Sequence, residues 1–141
     1  MNLNEMIIAV GCLHDGTITS IEQTSDTLKL RVEILYLAEK IDPGYKHFTY
    51  HFVNCQHLFY EPWNEDKPER DMEKIASLEL EINEVIQEEA YIKIICLCDI
   101  PGNEGGYLYI QAEDLIIYDE GGNNITFEEM HRITGAYWHR T

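Results

Sequence analysis

Residues 27–37, TLKLRVEILYL, carry Leu28, Leu30, Val32, Ile34 and Tyr36 at every second position, with Lys29, Arg31 and Glu33 among the residues between them. A period of two puts the apolar set on one side of an extended chain and the charged set on the other. The segment therefore reads as a half-buried strand, in a sheet with one packed face. A helix would spread both sets around its whole circumference.

The same alternation recurs along the chain. In TITSIEQ, 17–23, Ile18 and Ile21 alternate imperfectly before the turn letters SDT. After the turn signal DPG at 42–44, YKHFTYHFV at 45–53 sets Phe48, Tyr50 and Phe52 against Tyr45, His47, Thr49, His51 and Val53. LELEINEVI at 78–86 alternates and then drifts at Val85-Ile86. YIKIICLC at 91–98 is apolar on both sides, which predicts a central strand covered on both faces. GYLYIQAEDLIIYD predicts one long bent strand or two short ones. YEPWNEDKPERD at 60–71 reads as a loop, DMEKIAS at 71–77 as one or two helical turns, and PGNEGG at 101–106 as a loop. The glycine pairs GGYLY at 105–109 and DEGGNN at 119–124 read as hairpin turns. Thr126-Phe-Glu-Glu129 fits a capping box, and Phe127, Met130, Thr134, Tyr137 and Trp138 make one helical stripe interrupted by Gly135. The expected fold is α+β and mainly β. It is an antiparallel β-sandwich or open barrel of about six or seven strands with a C-terminal helix, in a single domain over 1–141.

Charge narrows the class of partner. The net charge is −16, and residues 61–90 hold eleven acids against Lys67, Arg70 and Lys74, half of that total in about a fifth of the chain. Such a field repels nucleic acid and anionic membrane and attracts basic proteins. Tyr60 and Trp63 lie among these acids, so Tyr60, Glu61, Trp63, Glu65, Asp66, Glu69 and Asp71 form the candidate partner surface. In it an aromatic ring anchors and carboxylates steer.

The letters that look chemical do not gather in the sequence. His14-Asp15-Gly16 reads as a turn, with Asp15 accepting backbone N–H bonds, rather than as a catalytic pair. His47 and His51 are four apart on extended chain, about 13 Å, too far to share one ion. His51, Cys55 and His57 converge only if the chain turns sharply near Asn54, and they lack paired zinc-ligand spacing. No G-x-S-x-G, P-loop or G-x-G-x-x-G is present. No catalytic residue, metal or cofactor is assigned. Cys12, Cys55, Cys96 and Cys98 are expected to be reduced and buried. The amino terminus has no basic start and only a short apolar stretch, and no run reaches membrane-helix length. A cytoplasmic location is therefore expected.

LHDGTI at 13–18, FVNCQHL at 52–58 and GGYLYIQAEDLIIYDEG at 105–121, followed by a helix ending near Tyr137-Trp138, resemble a bacterial group of small acidic proteins. In that group a Leu-His-Asp-Ser/Gly motif opens a β-rich domain, and some members look like immunity proteins of toxin systems. The resemblance implies a fold and a toxin-neutralising role toward a basic partner such as a nuclease. It implies no catalytic residues. Two alternatives stand beside this expectation: a metal-dependent or acid–base enzyme built on His14, Asp15, His51, Cys55 and His57, and a β-domain that binds a small ligand.

Overall fold

The computed structural model describes residues 1–138, and side chains through Gly135. In chain order the elements are α1 (Leu3–Gly11), β1 (Thr17–Thr24), β2 (Thr27–Glu33), α2 (Leu35–Ala38), β3 (His47–Val53), β4 (His57–Pro62) and α3 (Met72–Ser77). They continue with β5 (Glu81–Glu88), β6 (Tyr91–Ile100), β7 (Asn103–Gln111), β8 (Asp114–Asp119), β9 (Asn124–Ile125) and α4 (Phe127–Trp138). The strands form one open sheet in the order β4-β7-β6-β5-β1-β2-β3-β8-β9. Every pairing is antiparallel.

The mainly β, antiparallel architecture with a C-terminal helix is as expected, but the strand count and layering differ. There are nine strands instead of six or seven, and they make one sheet instead of two sheets or a barrel. Two of the additional strands have weak signals. β4, HLFYEP, occupies the start of the presumed charged loop and ends at a proline, which an edge strand tolerates. β9 has only two residues.

Burial separates the two faces of the sheet. The inner face carries Leu28, Leu30 and Val32 of β2, Phe48, Tyr50 and Phe52 of β3, and Ile92, Ile94 and Cys96 of β6, all buried. Met6, Ala9 and Val10 of α1, Leu37 and Ala38 of α2, Ile75 of α3, and Met130 and Ile133 of α4 join them in one continuous core cluster. A sheet face that packs a helix layer needs no second sheet.

Helix α1 begins at a capping box. The Asn2 side chain accepts from the Glu5 N–H, and the Glu5 carboxylate accepts from the Asn2 N–H. The buried Tyr50 hydroxyl then donates to the Ala9 carbonyl at 2.7 Å and ties the helix to the sheet. Helix α4 carries the expected box between Thr126 and Glu129 and runs through Gly135 without a break. Met130 and Ile133 are its buried residues, with Phe127 and Thr134 half-buried. The side chains of Tyr137 and Trp138 lie outside the described residues.

Other expectations need correction at single residues. The alternation of 27–37 does not stay extended: the strand stops at Glu33, and Leu35–Ala38 form one helical turn. Gly105 and Gly106 sit inside β7 and not in a hairpin turn, whereas Gly122, at φ +86°, does occupy the β8–β9 turn. The four cysteines are free thiols, with Cys12 and Cys96 buried and Cys55 and Cys98 half-buried. Among the described residues, no helix is long and apolar enough to cross a membrane.

Candidate partner-binding face

The outer face of β4-β7-β6-β5 is built by cross-strand register. Trp63 continues the β4–β7 ladder with its N–H on the Gly105 carbonyl, and Gly105 pairs with Leu97, which pairs with Glu81. The next row is Glu61, Tyr107, Ile95 and Glu84, and the one after it is Phe59, Tyr109, Lys93 and Ile86. Directly paired residues share a face, so these rows form a continuous surface. None of their side chains belongs to the core cluster. Trp63 is 48% exposed, Leu97 38% and Ile86 37%.

The rings order one another. Phe59 stacks on Tyr109 at 4.8 Å, and Tyr91 meets both edge-on at 5.8 and 5.7 Å. Trp63 meets Tyr107 edge-on at 6.1 Å. Offset and edge-on pairs of this kind contribute about 0.5–1.5 kcal/mol each beyond their buried area. Lys93 lies among them, its Nζ 4.1 Å from the Tyr107 ring centroid and 5.5 Å from that of Tyr109, and it donates to Glu88 at 3.1 Å. Burial alone pushes the Lys93 ammonium down, but hydrogen bonds to Glu88 and Tyr109 outweigh it and the net direction is upward. At the β4 edge the Arg70 guanidinium covers Phe59 at 4.9 Å. The result is a pre-ordered aromatic strip with carboxylates along both borders: Glu61 on β4, and Glu81, Glu84 and Glu88 on β5.

Two glycines make the rings fit. A Cβ on Gly105 would lie 2.4 Å from the Cys96 carbonyl oxygen and 2.8 Å from the Trp63 ring. One on Gly106 would lie 2.4 Å from the Glu61 carbonyl oxygen and 2.8 Å from the Tyr60 ring. Adjacent strand residues point to opposite faces, so the pair floors Trp63 on the outer side and Tyr60 on the inner side.

The seven residues of the expected partner surface are thus divided. Trp63 and Glu61 stand on the outer face, and Glu65 and Asp66 are exposed in the loop beside them. Tyr60 is fully buried, because its strand position points it inward to the core, so it is no anchor. Glu69 pairs its backbone with Tyr60, and its carboxylate accepts from the Arg70 and Asp71 N–H groups at 3.1 Å. Asp71 caps α3 by accepting from the N–H groups of Glu73 and Lys74. These last two shape the loop that presents Trp63. The sequence does not group Phe59, Tyr91, Lys93, Ile95, Tyr107 and Tyr109, and YIKIICLC is not covered on both faces as expected: Tyr91, Lys93 and Ile95 on its outer side are only half-buried.

The other candidate residues stay apart. His14 Nδ1 lies 3.0 Å from Asp15 Oδ1, both half-exposed, so Asp15 faces the neighbouring imidazole and not the backbone N–H groups expected. Asp15 itself takes φ +73° and donates its N–H to the Ile82 carbonyl, while Gly16 lies against Val32. His47 faces Glu120 at 3.2 Å, and His51 packs on Tyr118 with ring centroids 4.6 Å apart. His57 lies 6.2 Å from Tyr91, and the Cys55 thiol points to the His57 carbonyl. Among the described residues, no three His, Cys, Asp or Glu side chains are placed to hold one metal ion. Burial pushes the Cys96 thiol up to about 12, which leaves it protonated and unreactive. Comparison of the chain with protein-family models, curated proteins and solved structures gives no match.

Proposed function

We propose that this protein is a protein-binding module that docks a basic partner on the outer face of β4-β7-β6-β5. The observation that carries the reading is the pre-ordered aromatic strip itself, with Trp63 exposed at one end, Phe59, Tyr91 and Tyr107 half-buried around a buried Tyr109, and carboxylates on both borders. Rigid aromatic side chains lose little conformational freedom on binding and dominate the energetics of interfaces. The surrounding acids speed encounter with a positive surface and disfavour nucleic acid or acidic proteins. The sequence resemblance extends the reading to neutralisation of a basic toxin such as a nuclease, whose phosphate-binding surface these carboxylates would occupy.

The test is direct binding of the purified chain to the basic product of an adjacent gene, over a range of salt concentrations. Affinity is expected to fall steadily as salt rises. Trp63→Ala is expected to weaken binding by about 2 kcal/mol, roughly thirtyfold, without unfolding the chain. Salt-independent binding, or full affinity in Trp63→Ala, overturns the proposal.

A further inference from the structure

The outer face changes character across β1-β2-β3. A recess of about 200 Å³ opens there, lined by Ser20, Glu22, Lys29, Arg31, His47 and Thr49. Register explains the grouping, since Ser20, Arg31 and Thr49 form one row across the three strands and Glu22 pairs with Lys29. A bulge between Ile18 and Ser20 adds Thr19 to the outer side, where its hydroxyl accepts from Arg31 Nε at 3.2 Å and fixes the guanidinium.

The recess holds two cations two residues apart on one face of β2. The chain has 26 acids and 10 lysines and arginines, so any cation has carboxylates to choose from. Among the described residues neither Lys29 nor Arg31 makes an ion pair, a state that Lys46, Lys67, Arg70, Lys74 and Arg132 share; what sets these two apart is that they line one recess with hydroxyls. The charge of Lys29 reaches its cross-strand neighbour: burial first, and Lys29 second, lower the His51 imidazole below its ordinary value. His47 is held from its other side by Glu120.

We infer that this recess binds a phosphoryl group. Arg31 offers the terminal nitrogens of its fork, Lys29 a second positive charge, and Ser20 and Thr49 two hydroxyls, with the His47 ring on the wall. A carboxylate carries one charge and two oxygens. A phosphoryl group carries nearly two charges and three peripheral oxygens, which matches two cations and several donors. Glu22 lines the recess, Glu120 lies against His47 and Glu33 pairs with His47 across the strands, and all three carboxylates weaken the site.

The experiment is titration of the full chain with inorganic phosphate, followed by amide NMR shifts with chloride holding ionic strength constant. Saturable shifts centred on residues 20, 29, 31 and 49 are expected. Arg31→Gln and Lys29→Gln, both surface changes checked for folding by circular dichroism, should weaken binding about tenfold or more, and Glu22→Gln should strengthen it. A parallel titration with phenyl phosphate separates the sources. Tighter binding of the ester points to a phosphomonoester ligand, and equal binding to free phosphate. Shifts that fail to saturate, that chloride reproduces, or that persist unchanged in folded Arg31→Gln overturn the inference.

Discussion

Asp15 holds a left-handed backbone at φ +73° while its carboxylate is half-exposed beside His14. Its value to the fold is thus conformational, since aspartate tolerates this region better than most residues and glycine occupies it freely. Asp15→Gly is expected to leave stability unchanged or raise it, and Asp15→Ala to lower it by about 1 kcal/mol, read by denaturant unfolding. Loss of stability in both would show that the carboxylate matters instead. Gly105 is constrained by space and not by φ. Gly105→Ala is expected to cost about 1–3 kcal/mol and to displace Trp63, visible as a change in indole emission. Neither role shows in the letters. The sequence marks Asp15-Gly16 and Gly105-Gly106 alike as turn formers, and only the register reveals that the second pair lies flat under two rings.

At the level of elements, helix α1 rests on its capping box and on the Tyr50 tether. Asn2→Ala is expected to lower stability by about 1 kcal/mol, measured by thermal or denaturant unfolding, and a neutral result would mean that the tether and the burial of Met6, Ala9 and Val10 set the helix without the cap. That helix is absent from the sequence expectations because its apolar letters, Met6 to Val10, run consecutively and show no helical period, although Asn2-x-x-Glu5 has the form of a cap. The box at Thr126 is legible because a long helical stripe follows it. Alternation falters from Ile18 to Ile21, where a bulge interrupts β1, and at Val85-Ile86, just past the bulge between Ile82 and Glu84 of β5. One extra residue shifts the face of everything after it, so an irregular period was itself the signal. The alternation of Ile34 and Tyr36 misleads for the opposite reason. Its period fits a strand, but the Ile34 N–H bonds to the Lys46 carbonyl and the chain turns into α2.

The whole molecule is one sheet with helices packed into the inner core and an outer face divided by chemistry. One half is aromatic with acidic borders, and the other sets Lys29 and Arg31 among hydroxyls, histidines and the carboxylates of Glu22 and Glu33. Bulk charge is the ground for proposing a basic partner, and the exposure of Trp63 was legible because it sits in a charged, proline-bearing loop. The extent of the strip was not legible, because it joins residues from strands far apart in sequence. Trp63 reports on the central claim directly. In a Trp138→Phe variant it is the sole indole, and titration with the basic partner at low salt should shift its emission to the blue, saturably, with recovery as salt is raised. Partner binding demonstrated by an independent method, with the emission of Trp63 unmoved, would contradict the assignment of this face.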